Sequence, residues 1–265
     1  MSPKPAPSAA AGEVTVTVAD GVASVLLSHP GRRNAFTWAM YDALEATCVE
    51  VNANPGVRLV VIRGAGGDAF AAGTDIAQFA DFHGGADGVA YERRVGRVLD
   101  ALLAVRVPVV AVVQGPAVGG GLAVAACCDL VVATPESVFG VPVARTLGNC
   151  LPPAVLARLQ RRLGASRTMA MLLTSTLLTA DEAATAGFVS SVVAPADLDE
   201  EVAAVSRRIL RGAPLTLAAL KEIDRRLAAA VPDADDLIEL CYGSEDFAEG
   251  VRAFLEHRRP VWKGR

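Results

Sequence analysis

Residues 115–133 read GPAVGGGLAVAACCDLVVA. Three consecutive glycines, Gly119 to Gly121, separate the apolar run Val109 to Val113 from a small-residue segment that suits a helix, and a second apolar run, Leu130 to Ala133, follows. That order predicts strand, helix and strand, with the strands too continuously apolar for a sheet that faces water. Glycines at a strand-to-helix junction let other groups come close to the backbone and leave its N–H groups able to donate. They could equally serve close helix–sheet packing alone. The stretch sets the fold class as α/β and raises the question of what the junction holds.

On the N-terminal side, Val14, Val16 and Val18 alternate with polar residues, Asp20–Gly21 turns the chain and VASVLLS returns, which is a hairpin pattern. Thr37 can cap a helix with Met40, Leu44, Cys48 and Val51 on one side. VRLVVIRG (57–64) reads as another covered strand, followed by the Gly- and Ala-rich GAGGDAFAAGTDI (64–76) and a helix over about 88–105. From residue 152 the pattern becomes short helices, one opened by a Thr179/Glu182 capping box. FVSSVVA (188–194) predicts a further strand, and three helices are expected near 195–212, 214–230 and 245–258. The implied organisation is a loose Pro- and Ala-rich tail over 1–12, an α/β core over 13–195 and a helical C-terminal region over 196–265.

The 265 residues are 52% apolar and 20% charged, enough for one large core and far from a disordered composition. A formal net charge of −4 argues against nucleic acid as a partner. No apolar run has the length of a membrane span, and MSPKPAPSAAAG lacks the apolar core of a secretory signal. The five cysteines are irregularly spaced without a C-x-x-C, and only three histidines are present, which disfavours a disulfide framework and a metal site. A reduced, cytoplasmic protein is the expectation.

Four stretches, in one order, resemble the crotonase superfamily, the enoyl-CoA hydratase/isomerase group. They are HPGRRNAF (29–36), AFAAGTDIAQF (69–79), GPAVGGGLAVAACCDLVVAT (115–134) and SEDFAEGVRAFLEHRRPVWKGR (244–265). The resemblance implies ββα units wound into a spiral, with C-terminal helices completing a homotrimer or a dimer of trimers. Leu237, Leu240, Phe247, Val251 and Phe254 add apolar groups suited to such burial. It also implies an acyl-CoA substrate, coenzyme A entering as part of it and no separate cofactor. The backbone N–H groups of Thr74 and Gly120 would then form an oxyanion hole for the thioester carbonyl, a device worth roughly 10²–10³ in rate per donor. Arg32, Arg33 and Asn34 would run along the pantetheine and adenine, with the backbone at Ala72, Asp75 and Ile76 beside the adenine. His257, Arg258 and Arg259 match a tail segment that meets phosphates.

The chain departs from the pattern where hydratases of this group carry two glutamates. Ala123 stands at the first position and Val143, or Ala144 if the alignment slips by one, at the second. Each lost acid or base forfeits about 10²–10⁴ in rate, so efficient hydration by the usual route is not expected. Arg145, Thr146, Asn149 and Cys150 lie in the segment replacing the second glutamate. A guanidinium in that apolar setting would need an anion: Asp75, Glu92 or a carboxylate on the acyl group. Cys150 as a nucleophile would need a base, and no histidine except His83 lies within a hundred residues. Glu92, in the helix near the acyl pocket, is the remaining acid/base candidate, against the plainer reading of a solvated helix face. Two functions stay open: an enzyme that stabilises a thioester enolate, and a homologue that binds acyl-CoA without turning it over.

Overall fold

The computed structural model describes residues 12–228 and 235–263. Strands β1 (Glu13–Ala19) and β2 (Val22–Ser28) form an antiparallel hairpin. Its two-residue turn holds Asp20 at φ 50° and Gly21 at φ 80°, the left-handed pair that matches strand twist in tight hairpins. Helix α1 (Trp38–Ala53) follows, capped by the Thr37 side chain on the Met40 N–H. Then come β3 (Leu59–Gly64), a 3₁₀ turn (Ile76–Asp81) and helix α2 (Gly85–Leu103). The glycine stretch lies within β4 (Val109–Val113), β5 (Pro116–Val118), α3 (Gly120–Cys127), β6 (Leu130–Ala133) and β7 (Val138–Gly140).

Six strands form one sheet in the order β1-β2-β3-β4-β6-β9, where β9 is Ser191–Val192, parallel from β2 onward. A smaller sheet stacks β5, β7 and β8 (Leu178–Thr179). The units β4-β5-α3 and β6-β7-α4 (α4 being Val143–Thr146) place one strand in each sheet before a helix, and the bridge between Ala71 and Ala117 carries the second stack back to the unit that starts at β3. This is the spiral of ββα units. All five residues of β4 are buried because both its faces are covered. Ala111 and Val113 face the main core, while Val110 and Val112 pack with Leu198 and Val205 of α8 (Leu198–Leu210).

The second half carries α4 (Val143–Thr146), α5 (Pro153–Leu163), α6 (Ala165–Thr174), α7 (Ala180–Thr185) and β9 (Ser191–Val192). After α8 come α9 (Pro214–Leu227), α10 (Asp235–Tyr242) and α11 (Glu245–Leu255). Two expectations need correction. Only Ser191 and Val192 of FVSSVVA pair as strand, because β9 meets β6 through two positions alone. Among the described residues four helices, not three, follow residue 195: α10 packs on α2 so closely that a Cβ at Gly88 would run into the Tyr242 ring. The expected N-terminal tail falls on residues 1–11, and the Leu237 side chain likewise lies outside the described residues.

Candidate active site

At the start of α3 the three glycines do different jobs. Gly119 sits at φ 54°, a left-handed conformation that suits glycine and turns β5 into the helix. A Cβ at Gly120 would collide with the Tyr41 hydroxyl, and one at Gly121 with the Ala71 carbonyl. Close packing and an open backbone are therefore both present. The first intrahelical bond runs from Ala123 N–H to Gly119 O, so the Gly120 N–H belongs to the donors a helix leaves unpaired at its start.

The loop opposite is pinned by Phe36. Its N–H donates to Gly73 O at 2.8 Å, and Asp75 N–H donates to Phe36 O at 2.8 Å. Because strand groups alternate in direction, those two bonds turn the intervening Thr74 N–H to the other side. Thr74 and Gly120 both line one cavity of about 200 Å³. The Thr74 hydroxyl is held between the Tyr41 and Tyr91 hydroxyls, each at 2.8 Å. Burial pushes both phenols above their ordinary range, so they remain protonated.

The cavity walls are mostly apolar, including Ile76, Phe79, Val95, Val118, Leu151 and Phe254. Glu92 is the one carboxylate among the described lining residues, and it is 8% exposed. Burial pushes its carboxyl up to about 7, while the Tyr242 hydroxyl, donating to Oε1 at 2.5 Å, opposes part of that rise. The Asn149 amide in turn donates to Tyr242 at 2.8 Å. Glu92 thus sits at the end of a three-residue chain from α10 and the loop before α5. A carboxyl that titrates near neutrality can both accept and return a proton.

Ala123 and Val143, the positions where the resemblance implies glutamates, line the same cavity and offer only alkyl groups, while Ala144 is exposed. Arg145 is not the buried guanidinium expected from the sequence. It is exposed on the single turn of α4 and lines none of this cavity, because the polar end of that turn faces solvent. The anions proposed for it are otherwise engaged: Glu92 takes the Tyr242 hydroxyl, and the Asp75 carboxylate caps the 3₁₀ turn at Ala77 N–H. Burial pushes the Cys150 thiol up to about 12, which keeps it from being a thiolate nucleophile at neutral pH.

Of the expected coenzyme A contacts, Asn34 is a buried knot. Its oxygen accepts from His29 N–H, and its amide donates to Ala65 O and Ala69 O, which uses both amide protons in holding two loops together. Arg33 lines a separate surface groove beside Gly66 and Asp68, and Arg32 is exposed nearby. Ala72 donates its N–H to Arg33 O, which ties this segment to the Thr74 loop, and Ile76 lines the cavity. Arg258 is committed to Glu249, with contacts of 2.5 and 3.0 Å. Tyr41 and Tyr242 went unnoticed in the sequence. Tyr242 had a signal, since Ile238, Cys241 and Tyr242 carry helical spacing.

The sequence matches the enoyl-CoA hydratase/isomerase family over residues 17–265. It is 31% identical over 251 residues to the crotonyl-CoA hydratase of Syntrophomonas wolfei subsp. wolfei, covering 90% of this chain and 93% of that protein. A solved enoyl-CoA hydratase/carnithine racemase from Magnetospirillum magneticum shares 33% identity at a TM-score of 0.79, covering 95% of this chain and 96% of that one. A methylmalonyl-CoA decarboxylase in complex with 2-nitronate-propionyl-CoA superimposes at a TM-score of 0.87 with 26% identity, covering 96% and 99% of the two chains.

Proposed function

The chain belongs to the enoyl-CoA hydratase/isomerase family, and from that premise we propose that it moves a proton at the carbon next to an acyl-CoA carbonyl. The thioester oxygen is placed between the backbone N–H groups of Thr74 and Gly120, where negative charge develops as the α-proton leaves. Donors fixed in an apolar cavity stabilise such an enolate better than water does, because they need no reorganisation. Glu92 takes the proton and returns it. Coenzyme A arrives with the substrate, passing Arg32 and Arg33, and no further cofactor is required.

The observation that carries this reading is one buried carboxyl, titrating near 7, in the cavity lined by Thr74 and Gly120. One such group suffices to shift a double bond, since it removes a proton from one carbon and delivers it to another. Hydration needs a second group to activate water, and Ala123 and Val143 cannot. A carboxylated acyl group finds no support: no Arg, Lys or His is among the described residues lining the cavity. The functional unit is proposed to be a trimer or a dimer of trimers.

The test is incubation with butyryl-CoA in heavy water followed by mass spectrometry. Deuterium entering the acyl group supports the proposal. Binding without incorporation, and without conversion of a 3-enoyl-CoA to its 2-enoyl isomer, overturns it in favour of a protein that only binds acyl-CoA.

A further inference from the structure

Behind the cavity described above lies a second one of about 90 Å³, enclosed by α2, α3 and α5. The two share Glu92, Ala123 and Val155 as wall residues. At that partition Ala123 presents a single methyl group. A longer side chain would thicken that partition, so a methyl group at this position leaves little between the two cavities.

The second chamber is built for an apolar guest. Leu99, Leu103, Ala126 and Cys127 line it, and burial pushes the Cys127 thiol up to about 12, so it stays uncharged. Gly96, in the middle of α2, also faces it, and a Cβ placed there would meet nothing within 4 Å. A mid-helix glycine loosens the helix. Here the missing side chain corresponds to open space inside the protein. Apart from Glu92 at the partition, the two charged wall residues stand away from a guest. Arg158 donates Nε–H to Ala126 O at 2.8 Å and pairs with Asp224 of α9 at 3.6 Å, and Asp100 is exposed at the outer rim.

We propose that this chamber receives the distal methylenes of an unbranched acyl chain, which pass Ala123 while the thioester remains in the first cavity. The inference rests on the acyl-CoA reading and adds a substrate class to it: chains longer than butyryl, with no polar group at the tail. Gly96 and Ala123 are then the residues that set chain length.

The experiment is calorimetric titration of the full chain, and of Gly96→Leu and Gly96→Ala, with butyryl-, octanoyl- and dodecanoyl-CoA. A buried methylene raises affinity about fourfold in the ideal case, so octanoyl-CoA is expected to bind at least about tenfold tighter than butyryl-CoA. Gly96→Leu, which fills the chamber, is expected to bring that ratio close to one. Gly96→Ala, which adds one methyl group and favours the helix, is expected to lower it in part. Equal affinities across the series in the unaltered chain, or a ratio that survives Gly96→Leu in a protein with a normal thermal transition, overturns the proposal. Binding of butyryl-CoA alone would reject the chamber and leave the acyl-CoA reading standing. Absence of heat with all three thioesters would overturn both.

Discussion

The Tyr242 hydroxyl donates to Glu92 Oε1 at 2.5 Å across 150 positions of sequence. Helix α10 reaches the site only by lying along α2, so the C-terminal region supplies a group that holds the carboxyl rather than a remote appendage. Without that donor Glu92 would be a buried carboxyl among apolar walls. With it, one oxygen is fixed in the wall of the cavity.

Replacing Glu92 by Gln is expected to separate chemistry from stability. The carboxyl ordinarily titrates at 4.5 and is pushed up to about 7 in the fold. Below both values it is protonated in the folded and the unfolded chain and has no effect on stability. Between them the unfolded chain has released the proton that the folded chain still holds, so stability falls as pH rises through this window and stays lower above it. Glu92→Gln should therefore be more stable than the parent at pH 8, by at most about 3 kcal/mol, with no gain near pH 4. Deuterium incorporation from heavy water should drop by about 10²–10⁴. Urea unfolding at the two pH values checks the first part. An equal difference at both would refute it.

Tyr242→Phe removes a hydrogen bond that favours the ionised carboxyl. The Glu92 midpoint should rise further, moving the ascending limb of a pH–rate profile to more alkaline values. The Asn149 amide loses its partner, at a cost of about 1–3 kcal/mol in stability. An unchanged midpoint in the variant would show that Tyr242 only fills space.

Gly120→Ala sets a methyl group against the Tyr41 hydroxyl. The start of α3 must then shift, and with it the Gly120 N–H. Loss of one well-placed donor should lower turnover by about 10²–10³. Combining it with Tyr41→Phe, which removes the obstructing oxygen, should restore part of the rate. If the double variant is no better than Gly120→Ala alone, the collision is not the cause.

Much of this architecture was legible because local signals agreed with the global fold. The Asp20–Gly21 turn, the Thr37 cap, the Thr179/Glu182 box and the continuous apolar runs of β3 and β4 each reflect short-range physics. The Thr74 and Gly120 loops were legible through motif and resemblance together. Glu92 could be named, but neither its burial nor its partner could. Both depend on α10, whose eight residues form a helix because they pack on α2 rather than through length. Arg145 misled for the opposite reason. Apolar neighbours in sequence suggested burial, whereas a one-turn helix at the surface exposes the side chain they flank.

Helix α9 has no buried residue, yet Leu220, Ile223 and Leu227 form a stripe at helical spacing, with Leu215 beside it also exposed. An apolar stripe of that kind on an isolated chain marks an interface. Light scattering is expected to report a trimer or a multiple of it at micromolar concentration. Leu220→Glu with Ile223→Glu should shift it toward monomer. A parent protein that is monomeric throughout would contradict the prediction.

Hydration of crotonyl-CoA is the sharpest test of what the site has given up. In the proposed reading two donors at Thr74 and Gly120 polarise the carbonyl, but the alkyl groups of Ala123 and Val143, which line the same cavity, neither activate water nor deliver a proton. Turnover is expected to be at least about 10³-fold below that of a two-glutamate enzyme. Losing two groups worth about 10²–10⁴ each sets that scale, and their effects do not simply add. The enone absorbance follows the reaction directly. A rate comparable to a two-glutamate enzyme would mean that Glu92 supplies more than a single proton transfer, and Glu92→Gln would then abolish it. If the rate is low, Ala123→Glu with Val143→Glu should raise it, since both positions face the cavity lined by Thr74 and Gly120. The same Ala123→Glu change narrows the passage to the chamber beside Gly96, so any hydration gained should be confined to short acyl chains.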